Sequence, residues 1–273
     1  MTADHSSPAP SHYRTGIGAS DLDSITLLGH DLAGELMGKI SFGELAYWLM
    51  TKRRPTAGQA ALFEAVLIAL ADHGFTPTAI SARVTYLSAP DSIQGALASG
   101  LLGGGSRFLG VTEDSALFLH AALDRQAASG AALPTDAIGW DALALELVAE
   151  TKAAGRFVPG LGHPVHKQGD PRTPVLFALA RDHGVFGPHL ELFEAIGRVH
   201  TEVLGRHLPL NGAGVCGAVL ADVDIPLGVV RGVALLARCA GLLGHLAEEI
   251  EDPVAMEMYM HIDRNTDYRP PAR

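Results

Sequence analysis

The sequence predicts an all-α fold, and three observations carry that prediction. Alanine and leucine dominate, while aromatic residues make up only 6% of the 273 positions, a composition that favours helix over sheet. Apolar residues return at three- and four-residue intervals in several windows. No stretch alternates apolar and polar residues for more than four positions between hairpin turns. With 48% hydrophobic and 18% charged residues, the chain can build a real core and carries too little charge for disorder.

Residues Met1 to Arg14 hold Asp4, several prolines and serines and no apolar block. They read as the start of a mobile arm over residues 1–20 and not as a signal peptide. The first helical window is Ala57–Asp72, where Leu62, Val66 and Leu70 fall on one face beside Phe63 and Leu67. Asp72-His73-Gly74 closes it, with His73 in the last turn and Gly74 as cap. Asp91–Leu102 follows, started by Pro90 and Asp91, striped by Ile93, Leu97 and Leu101, and stopped by Gly103. Trp140–Thr151 carries Trp140, Leu143, Leu147 and Thr151, and Pro174–His183 ends at Gly184. Pro188–His207 sets Leu192, Ile196, Val199 and Val203 on one stripe. Pro226–Glu249 is apolar nearly all round, the mark of a buried helix. The middle of the chain, about 107–207, is more polar and richer in Gly-Pro punctuation than its flanks. The expected organisation is a smaller helical domain over 107–207 inserted into a larger one formed by 21–106 and 208–273.

Lys and Arg total 20 against 30 Asp and Glu, a net charge of −10. Such a chain is a poor nucleic-acid binder, although a few converging Arg and His residues can still hold a small anion. Arg238 interrupts the most apolar segment, so no membrane span is expected. The two cysteines, Cys216 and Cys239, are too few for a disulfide framework and suit the cytoplasm.

The strongest local signal is the run from Phe157 to Arg172, Phe-Val-Pro-Gly-Leu-Gly-His-Pro-Val-His-Lys-Gln-Gly-Asp-Pro-Arg. Glycines and prolines pin a loop, and they hold His163 between Gly162 and Pro164, outside any helix interior. Arg172 is placed to clamp a carboxylate. Read alone, this is either a catalytic loop or a rigid surface loop with a solvated His and Arg. Arg231, Arg238 and His245 recur every seven residues on one stripe, and an Arg among Ala237, Cys239 and Leu242 needs a partner or an anionic ligand. Gly103-Gly104-Gly105-Ser106 is a weak phosphate-loop candidate, and Asn211-Gly212-Ala213-Gly214 reads as a turn. His163 with His166 and His200 with His207 form isolated pairs, so no metal site is expected.

Taken in order, several blocks resemble the citrate synthase family, specifically its lyase branch of citryl-CoA lyases and the C-terminal module of ATP-citrate lyase. They are Leu49 to Thr56, Asp72-His73-Gly74, Ser81-Ala82-Arg83, Ser99 to Phe108, Val158 to His163 with Asp170-Pro171-Arg172, and Leu236 to Gly241. The similarity runs from about Ile25 to Tyr268. It implies a citrate synthase-like all-α homodimer, or higher even oligomer, whose large domain carries dimerisation and carboxylate binding. The small domain then carries coenzyme A and the catalytic loop. The resemblance makes His163 the catalytic residue at the reacting oxygen, with His73, Arg172 and Arg238 on the substrate's carboxylates. It lays the coenzyme against Val158, Pro159, Gly160, Leu161 and Gly162. The implied partners are an acyl-CoA and a di- or tricarboxylate, with coenzyme A as substrate and no covalently bound cofactor. Three departures stand out. No histidine occupies Leu102-Gly103-Gly104, where synthases carry one, and Ala213 stands where the family has its catalytic Asp. The family's late Arg is replaced by Glu251-Asp252-Pro253.

Overall fold

The structure is a computed structural model that describes residues 13–163 and 165–271. The first twelve residues of the expected arm lie outside them. About 63% of the chain is helical, as an all-α reading requires. The chain falls into two compact units, Met1–Arg54 and Pro55–Arg273.

In the first unit, three very short antiparallel strands form a sheet in the order β1–β2–β3: β1 (Gly18–Ser20), β2 (Ile25–Leu27) and β3 (His30–Asp31). The end of the expected arm is therefore a strand. None of the three is long enough to show alternation, which is why the sequence hid them. A π turn, Leu32–Leu36, leads to α1 (Phe42–Thr51), whose start is sealed by a reciprocal Ser41–Glu44 capping box.

The second unit is built from ten helices among the described residues. They are α2 (Ala57–Ala71), α3 (Pro77–Ser88), α4 (Ile93–Leu102), α5 (Gly110–Ala128), α6 (Ala137–Ala153), α7 (Arg172–Asp182), α8 (Pro188–Leu204), α9 (Gly212–Asp222), α10 (Val230–Glu251) and α11 (Ala255–Arg264). The window beginning at Ala57 starts where Thr56 and Gln59 close a second capping box. The window from Pro188 stops early, at Gly205 in the left-handed region (φ 69°). Four helices of this unit, α3, α5, α9 and α11, are ones that periodicity did not reveal. α9 is almost wholly buried, so it has no polar face to set a period. Its small residues let α5 come close, and Ser115 Oγ donates to the Gly214 carbonyl at 3.1 Å. Leu62, Phe63, Leu192, Phe193, Ile196 and Leu220 are fully buried, each stabilising the fold by about 1.5–3 kcal/mol.

α10 corrects the expectation of a helix buried all round. Val233, Ala234, Ala237, Leu242 and Leu246 are buried, but Leu243 and Ile250 are exposed. Leu227–Glu251 is also one helix long and apolar enough to cross a membrane, which the interruption by Arg238 had seemed to exclude. Its buried face packs on α2, α3, α4 and α5.

A buried ion cluster staples α3 to α10. Arg83 is 0% exposed. It donates from Nη1 to Glu249 at 2.8 Å, from Nη2 to Glu248, and from Nε to His245 Nδ1 at 3.2 Å. Glu249 also accepts the backbone N–H groups of Val254 and Ala255, fixing the start of α11. Arg83→Ala leaves Glu249 buried without its cation and is expected to cost about 3–5 kcal/mol of stability in urea unfolding. A loss below about 1 kcal/mol would mean that the cluster is no more than a surface-type pair.

Candidate active site

The loop after α6 is held by the chain that leads into α9. Gly162 N–H donates to the Pro209 carbonyl at 2.7 Å, Asn211 N–H to the Gly160 carbonyl at 2.9 Å, and Asn211 Nδ2 to the Gly162 carbonyl at 2.7 Å. Asn211 also caps α9 through Gly214 N–H at 2.8 Å. The Asn211 segment, read from sequence as a turn, is thus the clamp that holds the loop. Gly160 sits at φ 85°, and a Cβ there would lie 2.6 Å from the Phe193 ring. At Gly160, then, the missing side chain serves packing against Phe193 and not only ligand approach.

His163 gains its orientation from its own loop. Its Nδ1 accepts the backbone N–H groups of Val165 at 3.1 Å and His166 at 3.0 Å. Because Nδ1 must carry a lone pair, the proton of the neutral ring is on Nε2. Burial lowers the pKa of His163, and so do His166, His73 and Arg172, while Asp170 opposes them. The ring is therefore a neutral hydrogen-bond donor with a fixed tautomer.

His73 lies just past the end of α2, beyond Asp72, and not in the last turn. Its ring stacks on His163 at 5.5 Å between centroids, and His166 lies 4.5 Å from His163 and 5.7 Å from His73. The pair His163–His166 is therefore not isolated; one nitrogen or more of each ring lies within 4.8 Å of the others. This donor set does not suit a metal ion. Nδ1 of His163 is engaged by two amides, and Nε2 presents a proton where a ligand needs a lone pair.

The two arginines differ. Arg172, the first residue of α7, grips Asp170 with Nε at 3.0 Å and Nη2 at 2.8 Å, and Nη1 donates to the Ala69 carbonyl at 3.0 Å. Its fork is thus spent within the protein, leaving two N–H groups for a ligand and not the free bidentate clamp expected from sequence. Gly212 makes this possible, since a Cβ there would collide with Arg172 Nε. Burial works against the charge on Asp170. The Arg172 side chain and the amides of Gly212 and Arg172 outweigh it and hold the carboxyl well below the usual carboxylate range. Arg238 is 5% exposed and forms no ion pair among the described residues. Its Nη1 reaches Thr76 Oγ1 only at 3.5 Å, and its Nε has no partner. Burial lowers its pKa, Asp72 opposes that, and Arg172 adds to it. A buried guanidinium beside a second cation, with an empty Nε, is arranged for an anion that is not part of the chain.

These groups line one cavity of about 720 Å³. His73, His163, Arg172, Arg238 and the whole segment from Val158 to Gly162 are on its wall, so every site residue expected from sequence converges there. Asn211, Thr76, Phe108 and Asp114 join them, none of which sequence reasoning had placed at the site. Arg231 and His245, on the same heptad stripe as Arg238, do not reach the wall; Arg231 pairs with Glu113 at 2.6 Å, and His245 bridges Arg83 and Asp72. The Gly103–Ser106 segment is not a phosphate loop, because the amides of Gly103, Gly104 and Gly105 are spent on nearby carbonyls. Leu102–Gly104 does not line the cavity, whereas Arg107 and Phe108 do.

The family profile described as citrate synthase, C-terminal domain, matches residues 22–258. The chain belongs to the citrate synthase family. Within it, this member is similar to the citryl-CoA lyase of Hydrogenobacter thermophilus, with a TM-score of 0.81 and 26% identity over 96% of both chains. The ATP citrate lyase of Methanothrix soehngenii, solved with citrate and coenzyme A, gives a TM-score of 0.77 at 25% identity. It covers 97% of this chain and 43% of that one. Among curated sequences, ATP-citrate synthase beta chain protein 1 of Arabidopsis thaliana is 25% identical over 259 residues, 88% of this chain and 40% of that protein. The chain thus spans less than half the length of that relative. The synthase-family fold places the helix ends and the clamped loop around a cavity whose wall carries three arginines, Arg107, Arg172 and Arg238, and two histidines, His73 and His163.

Proposed function

We propose that the chain is a CoA-dependent carbon–carbon lyase or synthase acting on citryl-CoA, which is acetyl-CoA joined to oxaloacetate, or on a related 3-hydroxy-acyl-CoA. The observation that carries this reading is Arg238, a buried cation on the cavity wall that makes no ion pair among the described residues. Arg238 and the two spare N–H groups of Arg172 take the carboxylates, as the relatives' citrate and citryl-CoA chemistry suggests. Nε2–H of His163 donates to the substrate oxygen that is a hydroxyl in citryl-CoA and a carbonyl in oxaloacetate. The coenzyme's thioester arm lies along Val158–Gly162. In this reading residues 107–207 act as the small domain. Copies of the chain associate through the exposed apolar residues of α3, α10 and α11, such as Val84, Ile250 and Ile262. The two free thiols suit the cytoplasm.

Ala213 supports a second reading, a silent protein that binds CoA thioesters or citrate without turning them over. The test is to incubate the full chain with citryl-CoA, citramalyl-CoA and malyl-CoA and to quantify acetyl-CoA and the keto acid released. Equal amounts of both products from one of these thioesters are expected. Tight binding without products from any of them would favour the silent binder.

A further inference from the structure

Ala213 leaves the proposed reaction without a proton carrier. Cleavage of citryl-CoA moves a proton from the hydroxyl oxygen to the carbon that becomes the acetyl methyl group. His163 is held as an Nε2–H donor by two backbone amides and has no lone pair at that nitrogen to receive the hydroxyl proton. Arginines do not exchange protons in this range. The thiol of Cys216, near the same helix start, is fully buried and pushed up to about 12, and it is absent from the cavity wall.

One carboxylate does line the cavity among the described residues: Asp114, in α5. It is exposed and makes no hydrogen bond or ion pair among the described residues. Asp114 shares this cavity with Ala213, which stands where the family has its acid. Ser115 Oγ bonds the Gly214 carbonyl at 3.1 Å, and a Cβ on Gly217 would collide with the Thr112 carbonyl oxygen. The start of α5 therefore lies against the start of α9. Asp114 is the chain neighbour of Ser115, Ala213 is the chain neighbour of Gly214, and both residues line the cavity.

We propose that Asp114 is a catalytic residue that takes over, from the opposite helix, the proton transfer that Ala213 cannot perform. This inference rests on the citryl-CoA reading above. As a carboxylate, Asp114 takes the hydroxyl proton. The oxygen's electron pair forms the carbonyl of oxaloacetate, and the broken carbon–carbon bond leaves its pair on the enolate of acetyl-CoA. The enolate carbon then takes the same proton back from Asp114. Atoms and charge balance within one turnover, and Asp114 ends as a carboxylate. The hydroxyl oxygen and the methylene carbon are attached to the same carbon, so a single carboxylate can serve both.

The test compares the full chain with D114N, A213D and the double variant, measuring kcat for citryl-CoA cleavage and the Kd for citryl-CoA. D114N is expected to lose about 10²-fold or more in kcat with Kd unchanged, and A213D to restore most of it in the D114N background. An active wild type whose D114N variant stays within about two-fold in kcat would overturn the role of Asp114 and leave the lyase reading standing. A wild type that binds citryl-CoA and never cleaves it would overturn both, and it is told apart by the wild-type rate alone. Loss of kcat together with loss of binding, without rescue by A213D, would also overturn the proposal, since it marks Asp114 as a wall residue only.

Discussion

His163→Ala is expected to lower citryl-CoA cleavage by about 10²-fold or more, with little change in melting temperature. The side chain is partly exposed, and its hydrogen bonds among the described residues are those that bend its own loop, from the amides of Val165 and His166. The loop has other anchors, chiefly Asn211 to Gly162 and Gly162 to Pro209. The loss should therefore fall on kcat more than on folding. The pH profile supplies an independent check. Burial, His166, His73 and Arg172 lower the pKa of His163, so the neutral donor persists to lower pH than a free imidazole would. The acid limb of kcat attributable to this group is expected below pH ~6.5, the ordinary histidine value. An activity lost on acidification above that value would mean that a protonated His163 is not what limits the enzyme, or that its ring is not the neutral donor described.

Arg238→Met should separate binding from stability. Arg238 is buried, makes no ion pair among the described residues and has an Nε without a partner, so its charge brings a desolvation cost that no protein anion there offsets. Its replacement by an apolar side chain of similar length is expected to leave the melting temperature unchanged or raise it. Citrate binding, by contrast, should weaken by about 2–5 kcal/mol if the lost charge pair is desolvated. Coenzyme A affinity should change much less, because Val158–Gly162 and not Arg238 forms its surface in the proposed reading. Arg172→Ala gives the opposite pattern. It should weaken citrate binding by a similar amount and also destabilise the fold, since the buried Asp170 would keep its charge without its partner. Calorimetry with citrate and with coenzyme A, run beside thermal melts, reads both effects. Equal losses for both ligands at Arg238 would make that residue structural.

The helical class and the cavity's main residues were legible in the sequence because both depend on local patterns. Six windows showed the helical period, and the constrained loop around His163 announced itself through glycines and prolines. What stayed hidden depends on the third dimension. α9 is nearly all buried and α5 mixes polar and small residues, so neither shows a clean stripe. The strands of the first unit are too short for a period of two. The division of labour between the arginines was also invisible: only contacts reveal that Arg172 is satisfied by Asp170 and Ala69 while Arg238 is not. Asn211 looked like part of a turn because its role is to join two loops that are about fifty residues apart in sequence. By local pattern alone His73 reads as a cap residue; the family resemblance put it at the site, and only the fold shows its ring stacked on His163.

The most direct test of the account is a crystal structure of the full chain with citrate and coenzyme A. A citrate carboxylate is expected on the guanidinium of Arg238 at about 2.7–2.9 Å, engaging the Nε that has no partner among the described residues. The citrate hydroxyl is expected to accept from Nε2 of His163, with the coenzyme along Val158–Gly162. Citrate bound away from this cavity, with Arg238 still lacking an anion, would contradict the account.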